Sequence, residues 1–190
     1  MNSIKMKRLW LGVMALAALA FSSSAQAASS VSLDITVTIA ASKSLSVSAT
    51  TYAFGSVGIN TSTESTTAIT VTNNSGALVE TYAITGANAP SQDSGTTWTL
   101  STSPGTDIYT LAAQFSTAQP TNADGNWGSD DLNNATPVVC TAAALGNGTA
   151  GESGLSVLPS ATRSLWFRMK TPTAISDAGA HKATITLAVN

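Results

Sequence analysis

Short runs in which apolar and polar residues alternate strictly, each bounded by Gly, Asn, Asp or Pro, constrain this chain more than any other feature. The clearest is Val31, Leu33, Ile35, Val37 and Ile39, interleaved with Ser32, Asp34, Thr36 and Thr38. A two-residue period puts every second side chain on one face, the pattern of a β-strand with one buried side. Further strands are predicted around 45–47, 67–72, 79–85, 97–101, 107–115, 138–142, 163–170 and 182–189. In the 107–115 run Tyr109, Leu111, Ala113 and Phe115 share one face. The turn Asn73-Asn74-Ser75-Gly76 tolerates the positive φ that hairpin loops need, so 67–72 and 79–85 are expected to pair. Residues 116–135 lose the alternation and fill with Asn, Asp, Gly and Pro, which predicts a long loop. About nine short strands without helical periodicity predict an all-β, antiparallel sandwich.

The first 27 residues read differently. Lys5, Lys7 and Arg8 precede an apolar run from Leu9 to Phe21, followed by Ser22-Ser23-Ser24 and Ala25-Gln26-Ala27. Charge, apolar stretch and small-residue cleavage site in that order are those of a secretory signal peptide. The run is about 13 residues where a membrane span needs ~20, so cleavage is expected and no membrane insertion after it. Residues 28–190 then form one domain, expected in the periplasm, outside the cell or on its surface.

Cleavage removes three of the eight basic residues and none of the ten acidic ones, leaving five against ten. The five are scattered, which argues against nucleic acid as a partner, because phosphate backbones reward clustered Lys and Arg. Cys140 is the only cysteine, so no disulfide framework exists; in Pro137-Val138-Val139-Cys140 it reads as a small core residue.

Two stretches carry a resemblance. Tyr52-Ala53-Phe54-Gly55-Ser56-Val57 followed by Ile69-Thr70-Val71-Thr72-Asn73-Asn74-Ser75-Gly76 resembles an F-G-x-V, then V-x-N-x-x-G pattern of bacterial immunoglobulin-like domains. Asp107 to Phe115, Ala161 to Arg168 and Thr171-Pro172-Thr173 are similar to segments of uncharacterised secreted bacterial proteins. The resemblance implies an immunoglobulin-like sandwich and no particular activity, since that architecture hosts many roles.

Chemistry-bearing residues are few. His181 is the only histidine, with no nucleophile motif beside it, and is expected in an exposed turn. One His and one Cys do not assemble a structural zinc site. The loop Asn122-Ala123-Asp124-Gly125-Asn126-Trp127-Gly128-Ser129-Asp130-Asp131 spaces oxygen ligands as a partial calcium loop does, naming Asp124, Asn126, Asp130 and Asp131 as candidate metal ligands. Trp127 is a candidate for stacking on a sugar. Trp98-Thr99-Leu100 resembles the W-x-L motif of cell-wall-binding domains, and its Trp is expected on a core strand. Sequons fall at Asn60, Asn73, Asn134 and Asn147. The expectation is an exported, non-catalytic structural or adhesive protein, without a cofactor, that contacts other surface or extracellular proteins or itself. The alternative is a calcium- or carbohydrate-binding module using residues 122–131. The 31–39 strand is expected to pair within its own sandwich, with addition to a neighbour's sheet as its other use.

Overall fold

A computed structural model describes residues 36–37, 42–121, 127–128 and 130–190. The chain divides into two compact units, Met1–Ile39 and Ala40–Asn190. Of the first, only Thr36 and Val37 are described; both are exposed and neither belongs to a strand. The expected signal peptide and the rest of the 31–39 strand lie outside the described residues.

The second unit is all-β, with no helix among its described residues. Nine strands occur among the described residues: β1 (Leu45–Val47), β2 (Ser62–Glu64), β3 (Ile69–Asn73), β4 (Tyr82–Thr85), β5 (Thr99–Leu100), β6 (Ile108–Phe115), β7 (Val138–Val139), β8 (Thr162–Lys170) and β9 (Thr186–Val189). They form two sheets: a larger one in the order β1-β3-β8-β6-β5, with β2 also on β8, and a smaller one in the order β7-β4-β9. Every pairing is antiparallel except β5 with β6. The core lies between the sheets. Val71, Leu111, Ala113, Phe115, Leu165 and Phe167 from the larger sheet pack in one cluster with Tyr82, Ile84 and Cys140.

The expected pairing of 67–72 with 79–85 is not what the fold contains. β3 pairs with β1 and β8, whereas β4 lies in the other sheet between β7 and β9, so the chain crosses the sandwich between them. Asn73, at the end of β3, explains why the turn-like sequence becomes a crossing. Its side chain is wholly buried. Its Nδ2 donates to the Leu78 and Val157 carbonyls, both at 2.9 Å, while Oδ1 accepts from Ser75 N at 2.8 Å and Ser75 Oγ at 2.6 Å. The amide therefore holds the bend of 75–78 inward and ties it to the 157 loop, in place of a two-strand turn. Burial also closes Asn73 to glycosylation in the folded protein, whereas Asn60, Asn134 and Asn147 are exposed.

β6 departs from the half-buried strand that its alternation predicts, because seven of its eight residues are buried. Leu111, Ala113 and Phe115 enter the core, as the pattern required. The other face carries Thr110, Ala112 and Gln114, all at 5% exposure or less. Main-chain bonds explain the cover: Ala113 N donates to Asp130 O, Leu132 N to Leu111 O and Phe115 N to Leu145 O. The long loop thus returns to pair along the free edge of β6. A backbone this close leaves no room at some points; a Cβ on Gly154 would sit 2.7 Å from Cys140 Sγ and 2.8 Å from the Phe115 ring.

The Asn73 network predicts the largest stability loss for a polar substitution here. Asn73→Ala removes four hydrogen bonds and leaves the buried Ser75 N–H without its acceptor, at about 1–3 kcal/mol for the stranded group, while the Val157 and Leu78 carbonyls keep Glu80 N and Ser75 Oγ as donors. Urea unfolding followed by tryptophan fluorescence should give a loss of at least about 2 kcal/mol, against less than about 0.5 kcal/mol for the exposed Asn134→Ala.

Candidate functional site

The acidic loop named from the sequence is only partly described: Asp124 and Asn126 lie outside the described residues. Trp127 is 1% exposed. Its indole N–H donates to the Thr121 carbonyl at 3.0 Å, and the Arg168 guanidinium sits 5.4 Å over its ring. Arg168 alternates with Leu165, Phe167 and Met169, which face the core, so Trp127 covers the outer face of the larger sheet. That placement gives a cation–π contact, and the buried ring has no face free to meet a sugar.

Asp130 is also 1% exposed. Its Oδ2 accepts from Gln114 Nε2 and its Oδ1 from Leu145 N, both at 2.6 Å. A further main-chain bond comes from Gly146. Burial pushes its carboxyl up to about 6, against the downward pull of those donors. The carboxylate therefore works as a staple joining the outer face of β6 to the 145–146 turn, and both oxygens are taken. Asp131 is half-buried and pairs through its main chain with Ala112. No group of three or more His, Cys, Asp or Glu that could hold a metal ion occurs among the described residues. Beside Asp130 opens a polar cleft of about 380 Å³, lined by Gln114, Ser116, Gln119, Asp130 and Asn147 among others. Asn147 spans it, donating to Ser116 Oγ and Glu152 Oε2.

The lone histidine is not the exposed turn residue expected. Its side chain is 3% exposed and stacks on Trp98 with ring centroids 3.9 Å apart. Its ring nitrogens lie 3.2 Å from Gly179 O and 3.0 Å from Thr96 O. His181 pairs with Ser91 in an isolated bridge, so it locks a loop pair to the Trp98 strand. Trp98 itself packs against the core, as a core-strand aromatic should. Cys140 is buried, and burial pushes its thiol up to about 12; at that value the nucleophilic thiolate is scarce at neutral pH.

A different feature stands out at the opposite margin, where the two sheets leave a seam between β1 and β9. β9 has β4 on one side and no strand on the other among the described residues. Ala183, Ile185, Leu187 and Val189 pack against the core yet remain only partly buried, as do Leu45 and Val47 of β1. The seam is held at one end by Lys43 Nζ, which donates to Asn190 O at 2.6 Å, and by Ser44 N, which donates to Glu80 Oε1 at 2.8 Å. Glu80 is 1% exposed, and its Oε2 has no hydrogen-bond partner among the described residues. Beside it, Glu80 and Val157 exchange main-chain bonds, which sets Val79 opposite Leu158. These two are 54% and 61% exposed. Sequence reading had no reason to single out Glu80. The available signal was an acid within the otherwise apolar run Leu78-Val79-Glu80-Thr81-Tyr82.

The raised Asp130 carboxyl has a pH consequence whose sign follows from linkage. The folded state holds this proton more tightly than the unfolded chain, whose carboxyl titrates near 3.8. The Asp130 contribution to stability therefore falls as pH rises from about 4 to about 6 and is constant above. The shift is worth on the order of 3 kcal/mol at most. Unfolding free energies across pH 3.5–7.5 (~0.5 pH steps) should show this fall in the unaltered protein relative to Asp130→Asn; parallel profiles would refute it. No protein-family model matches the chain, and neither the curated proteins nor the solved structures contain a match to it.

Proposed function

We propose that this chain is an exported, non-catalytic structural or adhesive protein of a cell surface or extracellular layer, built on an immunoglobulin-like sandwich. It acts through contacts with other surface proteins or with further copies of itself. The observation that carries this reading is the seam: a strand edge with no partner strand among the described residues and a row of half-covered apolar side chains lie at one margin. Exposed apolar surface beside an open edge is the usual mark of a protein contact.

The strand order supports the finer fold assignment. In the immunoglobulin arrangement one sheet runs A-B-E-D and the other C-F-G. β1-β3-β8-β6 follows the first order and β4 beside β9 supplies C and F, with the six in the chain order A, B, C, D, E, F. The leader-like first 27 residues support export. The residues that elsewhere do chemistry are engaged in structure: His181 in a stack, Asp130 in a staple, Cys140 in the core. A calcium- or glycan-binding role for 122–131 has less behind it, because the Trp127 face is covered and the Asp130 oxygens already accept hydrogen bonds.

Fractionating producing cells tests the reading. The processed chain is expected in the surface or extracellular fraction as an assembly, and deletion of its gene should reduce surface-layer mass or attachment. Recovery solely as an unattached monomer, with no such defect on deletion, would overturn it.

A further inference from the structure

We infer that the edge of β9 with no partner strand among the described residues is a docking site for residues 31–39 of a second copy of this chain, which adds a strand to the smaller sheet. The inference rests on the reading of the protein as a surface component that contacts its own kind, and it names the contact.

Topology locates the vacancy. With β4 as C and β9 as F, the seventh immunoglobulin strand, G, belongs on the free side of β9. No strand occupies that place among the described residues. The edge also lacks the guards that sheet proteins use against strand addition: residues 183–189 contain no Pro and no charge. The inward row Ala183, Ile185, Leu187 and Val189 is incompletely covered, while Thr184, Thr186 and Ala188 face solvent.

Residues 31–39 match this edge in pattern and length. Val31, Leu33, Ile35, Val37 and Ile39 would extend the apolar row, and Ser32, Asp34, Thr36 and Thr38 would continue the Thr-rich outer face. Nine extended residues span about 30 Å, enough to run the whole of 183–189 at ~3.3 Å per residue. Of the two residues described in this segment, Val37 is 80% exposed, and neither it nor Thr36 joins a strand. One chain thus carries a β9 edge with no strand beside it among the described residues and a segment whose sequence alternates as a strand does.

Strand addition of this kind draws affinity from main-chain bonds and specificity from alternate side chains in the groove. Each copy donates one segment and accepts another, so the contact is head-to-tail and produces chains unless it closes into a ring.

Cross-linking the exported chain decides between donor and self. Two single variants, Thr36→Cys and Thr186→Cys, place exposed thiols on the two strands, and the buried Cys140 is a poor competitor. With a short bis-maleimide, the mixture of the two variants should give a covalent dimer that neither yields alone. No dimer from the mixture, or an exclusively intramolecular product from the double variant, would overturn the inference, the latter because the segment then covers its own edge. Ile35→Lys puts a charge into the docked row and should lower the assembled fraction at least about tenfold, read by light scattering. Assembly unchanged in Ile35→Lys would sink the donated strand while leaving self-association through another surface intact. Wild-type protein that stays monomeric at every concentration and free of other surface proteins would remove both.

Discussion

The antiparallel pairing of β6 with β8 is the contact on which the rest of the unit depends. It is the longest register in the molecule, from Thr110 opposite Lys170 to Phe115 opposite Leu165. Its inward side chains Leu111, Ala113, Phe115, Leu165 and Phe167 make up much of the core. β8 also carries β3 and β2 on its other edge, and the free edge of β6 receives β5 and the returning long loop. Remove this pair and neither the smaller sheet nor the loop has a surface to pack on.

Because β6 is walled in on both faces and both edges, polar groups near it are recruited to structure. Gln114 and Asp130 bond to each other across the outer face, and Trp127 roofs the same face under Arg168. The buried carboxylate carries a desolvation cost that its three donors only partly offset. The same physics governs His181: a stacked ring with carbonyl oxygens at both nitrogens is a fastener more than an exposed base. Residues that looked reactive as letters became fixtures once packed.

Strand existence was readable from period-2 alternation because that signal is local, and eight of the runs in the second unit correspond to strands found there. Partnership was not, since it depends on residues distant in sequence. Asn73 reads as a turn former until Val157, 84 residues away, is known to accept from its amide. β2, only Ser62–Glu64, has too few residues to display a period and is recruited by β8. The double burial of β6 was invisible for a related reason: alternation reports one face, and the cover on the other comes from a loop with no pattern of its own. Of the candidate site, Trp127 and Asp130 were picked out for their chemistry, but their neighbours set their roles. The open seam was legible only as topology.

The position of β8 has a consequence for the order in which the molecule can be made. Its partners β2, β3 and β6 all precede it in the chain, yet each depends on residues 162–170 for an edge. A chain emerging N-terminus first, from a ribosome or through a narrow channel, therefore holds about 160 residues that cannot complete their larger sheet. The larger sheet therefore closes only once this late segment is available.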